Sequence, residues 1–138
     1  MSEMDIIGTK VCMTKDIGVH GNLFGGKMMS WIDESAAAYA CMYCDNPSMV
    51  TVKVSELLFK RSVKVGEMVR FYGKVKSIGN TSITLHLDVK IHNPTNGEEK
   101  LCTTTDIVFV NIDENGEPKS ISQDIKNKFK TTKTLYKK

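Results

Sequence analysis

The feature that most constrains this chain is a glycine-rich turn that runs directly into a long helical pattern. The turn contains Gly21, Gly25 and Gly26, and glycine permits backbone conformations or close approaches that other residues do not. Between Lys27 and about Cys44 there is neither glycine nor proline, so we predict one continuous helix. Because the body of this helix, residues 36–41, is unusually small and apolar, the pattern is typical of a helix that is buried on most sides.

One acidic residue, Asp33, lies inside this apolar helix. Its neighbours three and four positions away include Met29, Ser30, Ala36 and Ala37, and none of these is a cation that would pair with it. A buried carboxylate without a partner is costly, so Asp33 is a candidate site residue. From the residues alone, a solvent-facing position or a distant partner is the favoured explanation. In the functional interpretation it acts as a general base or as a nucleophile on an activated acyl carbon.

The start of the predicted helix offers a partner for such chemistry. Helix N-termini point unpaired N–H groups outward, so the Gly25–Gly26 backbone is a candidate oxyanion site. A metal site is not predicted, because the three histidines are scattered without ligand spacing. Cys41 and Cys44 have the spacing of a redox motif but not its structural context, so we interpret them as ordinary helix thiols.

Composition and length predict one soluble domain over residues 1–138, with a core at about 9–112 and a tail at 119–138. No apolar run is long enough to span a bilayer, and acids near the N-terminus argue against a signal peptide. We therefore expect a cytoplasmic protein with reduced cysteines that has no membrane partner. The formal net charge is +3, much of it from a lysine-rich tail with few aromatic residues, so no nucleic-acid partner is expected.

The rest of the chain is dominated by strand patterns. Alternation of apolar and polar residues, broken by turn residues, predicts five strands at 9–14, 49–59, 68–77, 82–92 and 100–112. Short connections make consecutive strands antiparallel. A short helix with a loose tail is expected after Lys119. One long helix and one antiparallel sheet predict an α+β fold in which the sheet curls around the helix.

The turn and helix together also resemble a known family. Residues 20–37 read H-G-x-x-F-G-G-x-x-M-x-W-x-D-E-x-A-A, which is similar to the signature of hotdog-fold acyl-CoA thioesterases of the YciA-like, broad-specificity branch. Residues 50–54, 65–69 and 78–83 look like further family motifs, and they follow in the family's order. The resemblance covers roughly Val11 to Ile112.

The resemblance implies a hotdog fold and hydrolysis of acyl-CoA thioesters to free acid and coenzyme A, within fatty acid metabolism. It implies that Asp33 is the catalytic carboxylate. His20 or Asn22, together with Gly25 and Gly26, would polarise the thioester carbonyl. No metal or organic cofactor is implied. Family members join two subunits edge to edge with the active sites at that interface, and commonly form hexamers as trimers of dimers.

The same resemblance places coenzyme A along the turn formed by Gly79, Asn80, Thr81 and Ser82. Asn80 stands where relatives usually have arginine, so the phosphates are assigned instead to Lys60, Arg61, Lys74 or Lys76. Two further departures are Gly18 in place of a usual asparagine and Ser62 in place of a usual proline. The alternatives are a non-catalytic acyl-CoA sensor and another hotdog enzyme, either an aroyl-CoA thioesterase or a hydroxyacyl dehydratase.

Overall fold

The computed structural model describes residues 4–136. Within these residues the chain forms five strands, two α-helices and one short 3₁₀ turn. In order they are β1 (Asp5–Val11), the 3₁₀ turn (Thr14–Asp16), α1 (Gly25–Cys44), β2 (Met49–Val54), β3 (Met68–Ile78), β4 (Ser82–His92), β5 (Glu99–Asn111) and α2 (Gln123–Tyr136).

The five strands form one antiparallel sheet in the order β1-β3-β4-β5-β2. β1 and β2 are therefore the two edge strands. α1 packs against all five strands, which confirms the predicted α+β arrangement of a sheet curled around one central helix. The arrangement is favoured because the apolar side of the sheet and the apolar stripe of α1 bury each other.

The alternation in β4 fixes which face of the sheet is inside. Ile83, Leu85, Leu87 and Val89 have no exposed surface and face α1. On β3, Phe71 is also fully buried and meets the ring of Trp31 edge-on, with ring centroids 6.4 Å apart. Trp31 therefore belongs to the core.

α1 differs from the predicted helix in two respects. It begins at Gly25, two residues earlier than expected, and only part of its surface is buried. In the protomer the buried stripe includes Met28, Ile32, Ala36 and Ala40. The opposite face is open because the sheet covers one side only. Its exposed members are Met29, Ser30, Glu34, Ala38 and Met42.

The first strand was predicted at 9–14 but runs from Asp5 to Val11. It ends early because the chain turns into the 3₁₀ segment at Thr14. That turn is stabilised by Asp16, a buried residue whose carboxylate accepts the N–H of Met13 at 2.9 Å. The strand boundary was wrong because the alternation of residues 9–14 does not distinguish a strand from this turn.

The second strand was predicted to reach Phe59 but ends at Val54. Residues 55–59 still follow β5, although side chains replace part of the backbone ladder. The hydroxyl of Thr105 donates to the carbonyl of Ser55 at 3.1 Å, and that of Thr103 donates to the carbonyl of Leu58 at 2.8 Å. The two hydroxyls satisfy these two carbonyls where the segment leaves strand geometry.

The C-terminal segment was expected as a short helix with a loose tail. It instead forms the 14-residue helix α2. Ile121 and Ile125 are 3% and 7% exposed and join the main core cluster. Packing therefore extends beyond Ile112 into the segment that leads into α2.

Candidate active site

Asp33 occupies the middle of α1 and is half-buried in the protomer. Its partner is Thr51 on β2, whose hydroxyl donates to Asp33 Oδ1 at 2.7 Å. Asp33 is therefore not a buried carboxylate without a partner, which was only one of the alternatives that the sequence left open. The distant-partner alternative is the one observed. Thr51 was not recognised as a site residue because no local spacing connects it to Asp33.

Asp33 opens into a cavity of about 340 Å³ between α1 and the β2–β5 side of the sheet, here called the aspartate pocket. Its walls are largely apolar, with the carboxylate of Asp33 and the hydroxyls of Ser30 and Thr51 as polar groups. The lining comprises Gly26, Met29, Ser30, Ile32, Asp33, Thr51, Val54, Leu57 and Ile107. An apolar pocket with a few convergent polar groups is the usual form of a small-molecule site.

Gly25 and Gly26 are the first two residues of α1. Phe24 precedes them as the N-cap but makes no side-chain capping hydrogen bond. Within the described part of the chain, no acceptor meets the N–H group of either glycine. Such free amides at a helix N-terminus carry partial positive charge and bind anions or oxyanions.

The two glycines face different cavities. Gly26 lines the aspartate pocket, whereas Gly25 lines a larger groove. A side chain at position 26 would place its Cβ 2.7 Å from the ring of Phe24, while a Cβ at position 25 would meet nothing within 4 Å. The close approach of Phe24 therefore requires glycine at 26 and not at 25.

Asp16 holds the approach to α1 in place. Its buried carboxylate forms an ion pair with Lys27 in the first turn of α1, with Nζ and Oδ1 3.7 Å apart. Its backbone carbonyl accepts the N–H of Phe24 at 2.9 Å. Asp16 thus fixes the entry of the helix whose first amides face the cavities. Sequence reasoning missed it because it precedes the glycine turn by several residues.

The larger groove, here called the glycine-loop groove, has a volume of about 470 Å³. His20 and Asn22 line it, and the side-chain oxygen of Asn22 accepts the Lys64 ammonium at 3.2 Å. Neither residue lines the aspartate pocket. The full lining is Gly18, Val19, His20, Asn22, Leu23, Phe24, Gly25, Met28, Phe59, Arg61, Ser62, Val63 and Cys102. Within one protomer, the predicted catalytic residues are thus divided between two neighbouring cavities.

The predicted phosphate-binding cations are dispersed. Arg61 lines the glycine-loop groove. Lys60 is exposed, and its backbone N–H donates to the carbonyl of Cys102. Lys76 pairs with Asp106 at 2.5 Å on the outer face of the sheet. Lys74 lies opposite His86 on the same face. The four do not form one cluster.

The predicted coenzyme A turn connects β3 and β4. Gly79 and Asn80 line a third cavity, here called the turn cleft, of about 540 Å³ between this turn and α2. Thr81 and Ser82 join the turn to the sheet instead, since the carbonyl of Thr81 accepts the N–H of Asn111 and Ser82 pairs with Val110.

The cysteines do not form a redox pair. Burial raises the pKa of the Cys44 thiol to about 11, which disfavours a reactive thiolate. Cys41 donates its thiol to the carbonyl of Pro47. Among residues 4–136 there is no group of three or more histidine, cysteine, aspartate or glutamate side chains placed to hold a metal ion.

Comparison with known proteins identifies the family. The model of the thioesterase superfamily matches residues 20–98, which include the glycine turn, α1, β2, β3 and all of β4. The chain belongs to the thioesterase superfamily. Since this match contains the complete predicted signature, the resemblance found in the sequence is confirmed.

Two curated members of the superfamily are similar over most of their length. An uncharacterized acyl-CoA thioester hydrolase of Buchnera aphidicola is 34% identical over 80% of this chain and 84% of its own. The acyl-CoA thioester hydrolase YciA of Escherichia coli is 28% identical over 85% of this chain and 90% of its own.

A solved thioesterase supports the fold. A hexameric hotdog fold thioesterase of Campylobacter jejuni superimposes with a TM-score of 0.78 at 28% identity, covering 88% of this chain and 93% of the other. The hotdog prediction is therefore confirmed. Between residues 4 and 136, this thioesterase fold contains no helix that combines the length and apolar character required to cross a bilayer.

Proposed function

We propose that this protein hydrolyses acyl-CoA thioesters to a free carboxylic acid and coenzyme A, with Asp33 as the catalytic carboxylate. The observation that supports this most directly is the Asp33–Thr51 hydrogen bond beside the Gly26 amide in one pocket. The curated relatives named as acyl-CoA thioester hydrolases support the choice of substrate.

The proposed reaction begins with a thioester carbonyl in the aspartate pocket. Asp33 takes a proton from water, and the water oxygen attacks the carbonyl carbon. The free amide at Gly26, which lines this pocket, stabilises the oxyanion that forms, and that of Gly25 would add to it if assembly brings the two cavities together. The carbon–sulfur bond then breaks, the proton held by Asp33 passes to the leaving sulfur so that coenzyme A departs as the thiol, and the acid is released. His20 or Asn22 would assist if assembly brings the glycine-loop groove against the pocket.

Asp33 has a second possible role as a nucleophile. Its oxygen would then attack the acyl carbon, release the thiolate and form an anhydride that water hydrolyses. A single turnover in water labelled with heavy oxygen tests for this route. Label in the Asp33 peptide indicates an anhydride that water opens at the Asp33 carbonyl, whereas label in the released acid alone indicates that water attacks the acyl carbon, either of the thioester or of the anhydride.

The decisive experiment measures thiol release from acyl-CoAs by the parent protein and by Asp33→Asn. We expect kcat to fall about 10²- to 10⁴-fold, since that is the usual contribution of a positioned acid or base. Glu34→Gln is the matched control. It removes one charge from the next residue of α1, which is exposed and accepts only the Ser30 hydroxyl at 3.3 Å. Equal turnover by Asp33→Asn and the parent, with both folded, would reject the mechanism.

We further propose that the chain assembles as a hotdog dimer and then as a trimer of dimers. The protomer exposes Val50, Val52 and Val54 on the edge strand β2, and Met29 and Met42 on α1. Such exposed apolar side chains are typical of a surface that another subunit covers. Native mass spectrometry should show six times the chain mass of 15.4 kDa. A monomer at micromolar concentration would contradict the assembly.

The proposed steps use water and protein groups, so we propose that no metal or organic cofactor takes part. We expect acyl-CoA hydrolysis to continue after treatment with a chelator and extensive dialysis. We also propose a cytoplasmic location, in keeping with four free cysteines.

A further inference from the structure

The aspartate pocket and the glycine-loop groove lie side by side in the protomer. At the start of α1 the boundary between them falls between two neighbouring residues, since Gly25 lines the groove and Gly26 lines the pocket. On the facing wall it falls between Phe59, which lines the groove, and Leu57, which lines the pocket. Two residues span at most about 7 Å of chain, so a short step leads from one cavity to the other.

Both walls give the aspartate pocket the same direction. Along α1 its lining extends from Asp33 back to Gly26, over roughly 10 Å, and the groove begins at the preceding residue. The other wall is lined in chain order by Thr51, Val54 and Leu57. The hydrogen bond between Thr51 and Asp33 aligns the two walls at one end. Leu57 therefore stands at the opposite end, where the pocket adjoins the groove.

The segment that carries Leu57 is fixed to β5 on both sides of this residue. Before it, the N–H of Ser55 donates to the carbonyl of Asp106 at 2.9 Å. After it, the carbonyl of Leu58 accepts the hydroxyl of Thr103, which is fully buried, at 2.8 Å. Leu57 is itself half-buried and packs against the core. Its side chain is therefore held between the two cavities, although this segment has left the regular strand.

Apolar side chains form the surface on both sides of Leu57. Val54 and Ile107 line the pocket before it, and Met28 and Phe59 line the groove beyond it. Burial of methylene groups against such surfaces is favourable roughly in proportion to the apolar area removed from water. An aliphatic chain can therefore be buried in either cavity, and a chain that starts beside Asp33 reaches the groove by passing Leu57.

We propose that Leu57 determines the acyl-chain preference of this protein. Short acyl chains are held within the aspartate pocket, whereas longer chains pass beside Leu57 and enter the glycine-loop groove. The identity of the ligand rests on the proposed function, which this inference deepens by assigning a specificity residue to it.

The test changes the size of the side chain at position 57. Leu57→Ala and the milder Leu57→Val widen the passage, and Leu57→Phe narrows it. Leu58→Ala is the matched control, because Leu58 is the exposed neighbour and lines neither cavity. Steady-state kinetics give kcat/KM for butyryl-, octanoyl- and lauroyl-CoA, and urea unfolding verifies that each variant is folded.

We expect Leu57→Ala to raise the ratio of kcat/KM for lauroyl-CoA to that for butyryl-CoA about tenfold, since small changes of volume in an apolar pocket discriminate by this amount. Leu57→Val should raise the ratio less, and Leu57→Phe should lower it. Leu58→Ala should keep the ratio of the parent. A parental ratio in the folded alanine and valine variants would overturn the proposal.

A double variant tests where the longer chain goes. In Leu57→Ala/Phe59→Ala, a chain that has entered the groove loses its contact with the Phe59 ring, so part of the increase for lauroyl-CoA should disappear. An increase that is as large as in Leu57→Ala alone would show that the chain does not enter the groove, and the proposed passage would be wrong.

The outcomes separate this inference from the proposed function. Calorimetry with the same acyl-CoAs measures binding without chemistry. If no acyl-CoA is hydrolysed but Leu57→Ala binds lauroyl-CoA more tightly relative to butyryl-CoA, the passage stands and the thioesterase proposal fails. If the parent hydrolyses acyl-CoAs and the variants at position 57 keep its chain-length profile, the thioesterase proposal stands and the role of Leu57 is wrong.

Discussion

The hydroxyl of Thr51 on β2 donates a hydrogen bond of 2.7 Å to Oδ1 of Asp33 on α1. This bond connects an edge strand of the sheet to the central helix. It orients the carboxylate toward the aspartate pocket and occupies one of its oxygens, which leaves Oδ2 available to a water or a substrate carbon.

Replacing Thr51 by valine removes the hydroxyl while keeping the shape of the side chain. We expect kcat for acyl-CoA hydrolysis to fall about tenfold with little change in KM, because the carboxylate loses a positioning partner rather than a substrate contact. Thr51→Ser retains the hydroxyl and should keep most of the activity. Equal kcat values for the valine and serine variants would show that the bond does not position Asp33.

Gly26→Ala and Gly25→Ala form a matched pair at the start of α1. The alanine at 26 meets the Phe24 ring at 2.7 Å, whereas the one at 25 meets nothing within 4 Å. We expect Gly26→Ala to be about 1–3 kcal/mol less stable than Gly25→Ala in urea unfolding, and to lower kcat as well. Adding Phe24→Ala should restore most of the stability. Equal stability of the two single variants would exclude a steric role for Phe24.

Phe59→Ala tests whether the glycine-loop groove receives the acyl chain. Phe59 lines the groove, while its exposed neighbour Leu58 does not. We expect Phe59→Ala to lower kcat/KM for long acyl-CoAs several-fold and to leave short ones nearly unchanged, because only long chains reach its ring. Leu58→Ala should preserve the chain-length profile. A uniform change across chain lengths would place the acyl chain elsewhere.

Asp106, on the outer face of the sheet, should make the stability of the fold sensitive to acid. Burial tends to raise the pKa of Asp106, but hydrogen bonds from Lys76 and His86 outweigh this and hold it below its usual value of 3.8. A carboxyl whose pKa is lower in the folded state stabilises the fold above its unfolded pKa, and this stability disappears as the pH falls through the folded pKa. Acid therefore removes the contribution of Asp106 progressively below about pH 3.8.

Measuring the free energy of unfolding as a function of pH tests this predicted loss of stability in acid. Asp106→Asn should be less stable than the parent near neutral pH, and the difference should shrink as the pH falls below 3.8. Glu114→Gln, in an exposed turn, is the control and should follow the parent throughout. A constant difference between Asp106→Asn and the parent at every pH would contradict the linkage.

The sequence predicted those parts of the fold that depend on local periodicity. The alternation of β4 identified its buried face, and the uninterrupted pattern after Lys27 identified α1. The end of β2 was missed because it depends on hydroxyls of Thr103 and Thr105, which belong to a strand about 50 residues later. Hydrophobic periodicity contains no information about such side-chain substitutes for a backbone ladder.

Contacts in the candidate site also join residues that are far apart in the sequence. Asp33 is conspicuous in sequence because an acid in an apolar helix is unusual, but its partner Thr51 lies 18 residues away in an ordinary strand pattern. Lys126 meets Asn80 across 46 residues, and only the docking of α2 brings them together. The individual roles of His20, Asn22, Gly25 and Gly26 stay predictions until variants are measured.

The position of Thr51 on an edge strand gives the activity its own thermal limit, which is reached once the proposed subunits separate. In the separated protomer β2 is hydrogen-bonded to a single neighbour, β5, whereas β3 and β4 are paired on both sides. Edge segments of this kind open locally at a lower free energy than the whole domain. When β2 detaches, Asp33 loses its partner although the β3–β4–β5 core is intact. On heating, catalysis should therefore fade before the core melts, and amide exchange in β2 should report the temperature at which it does.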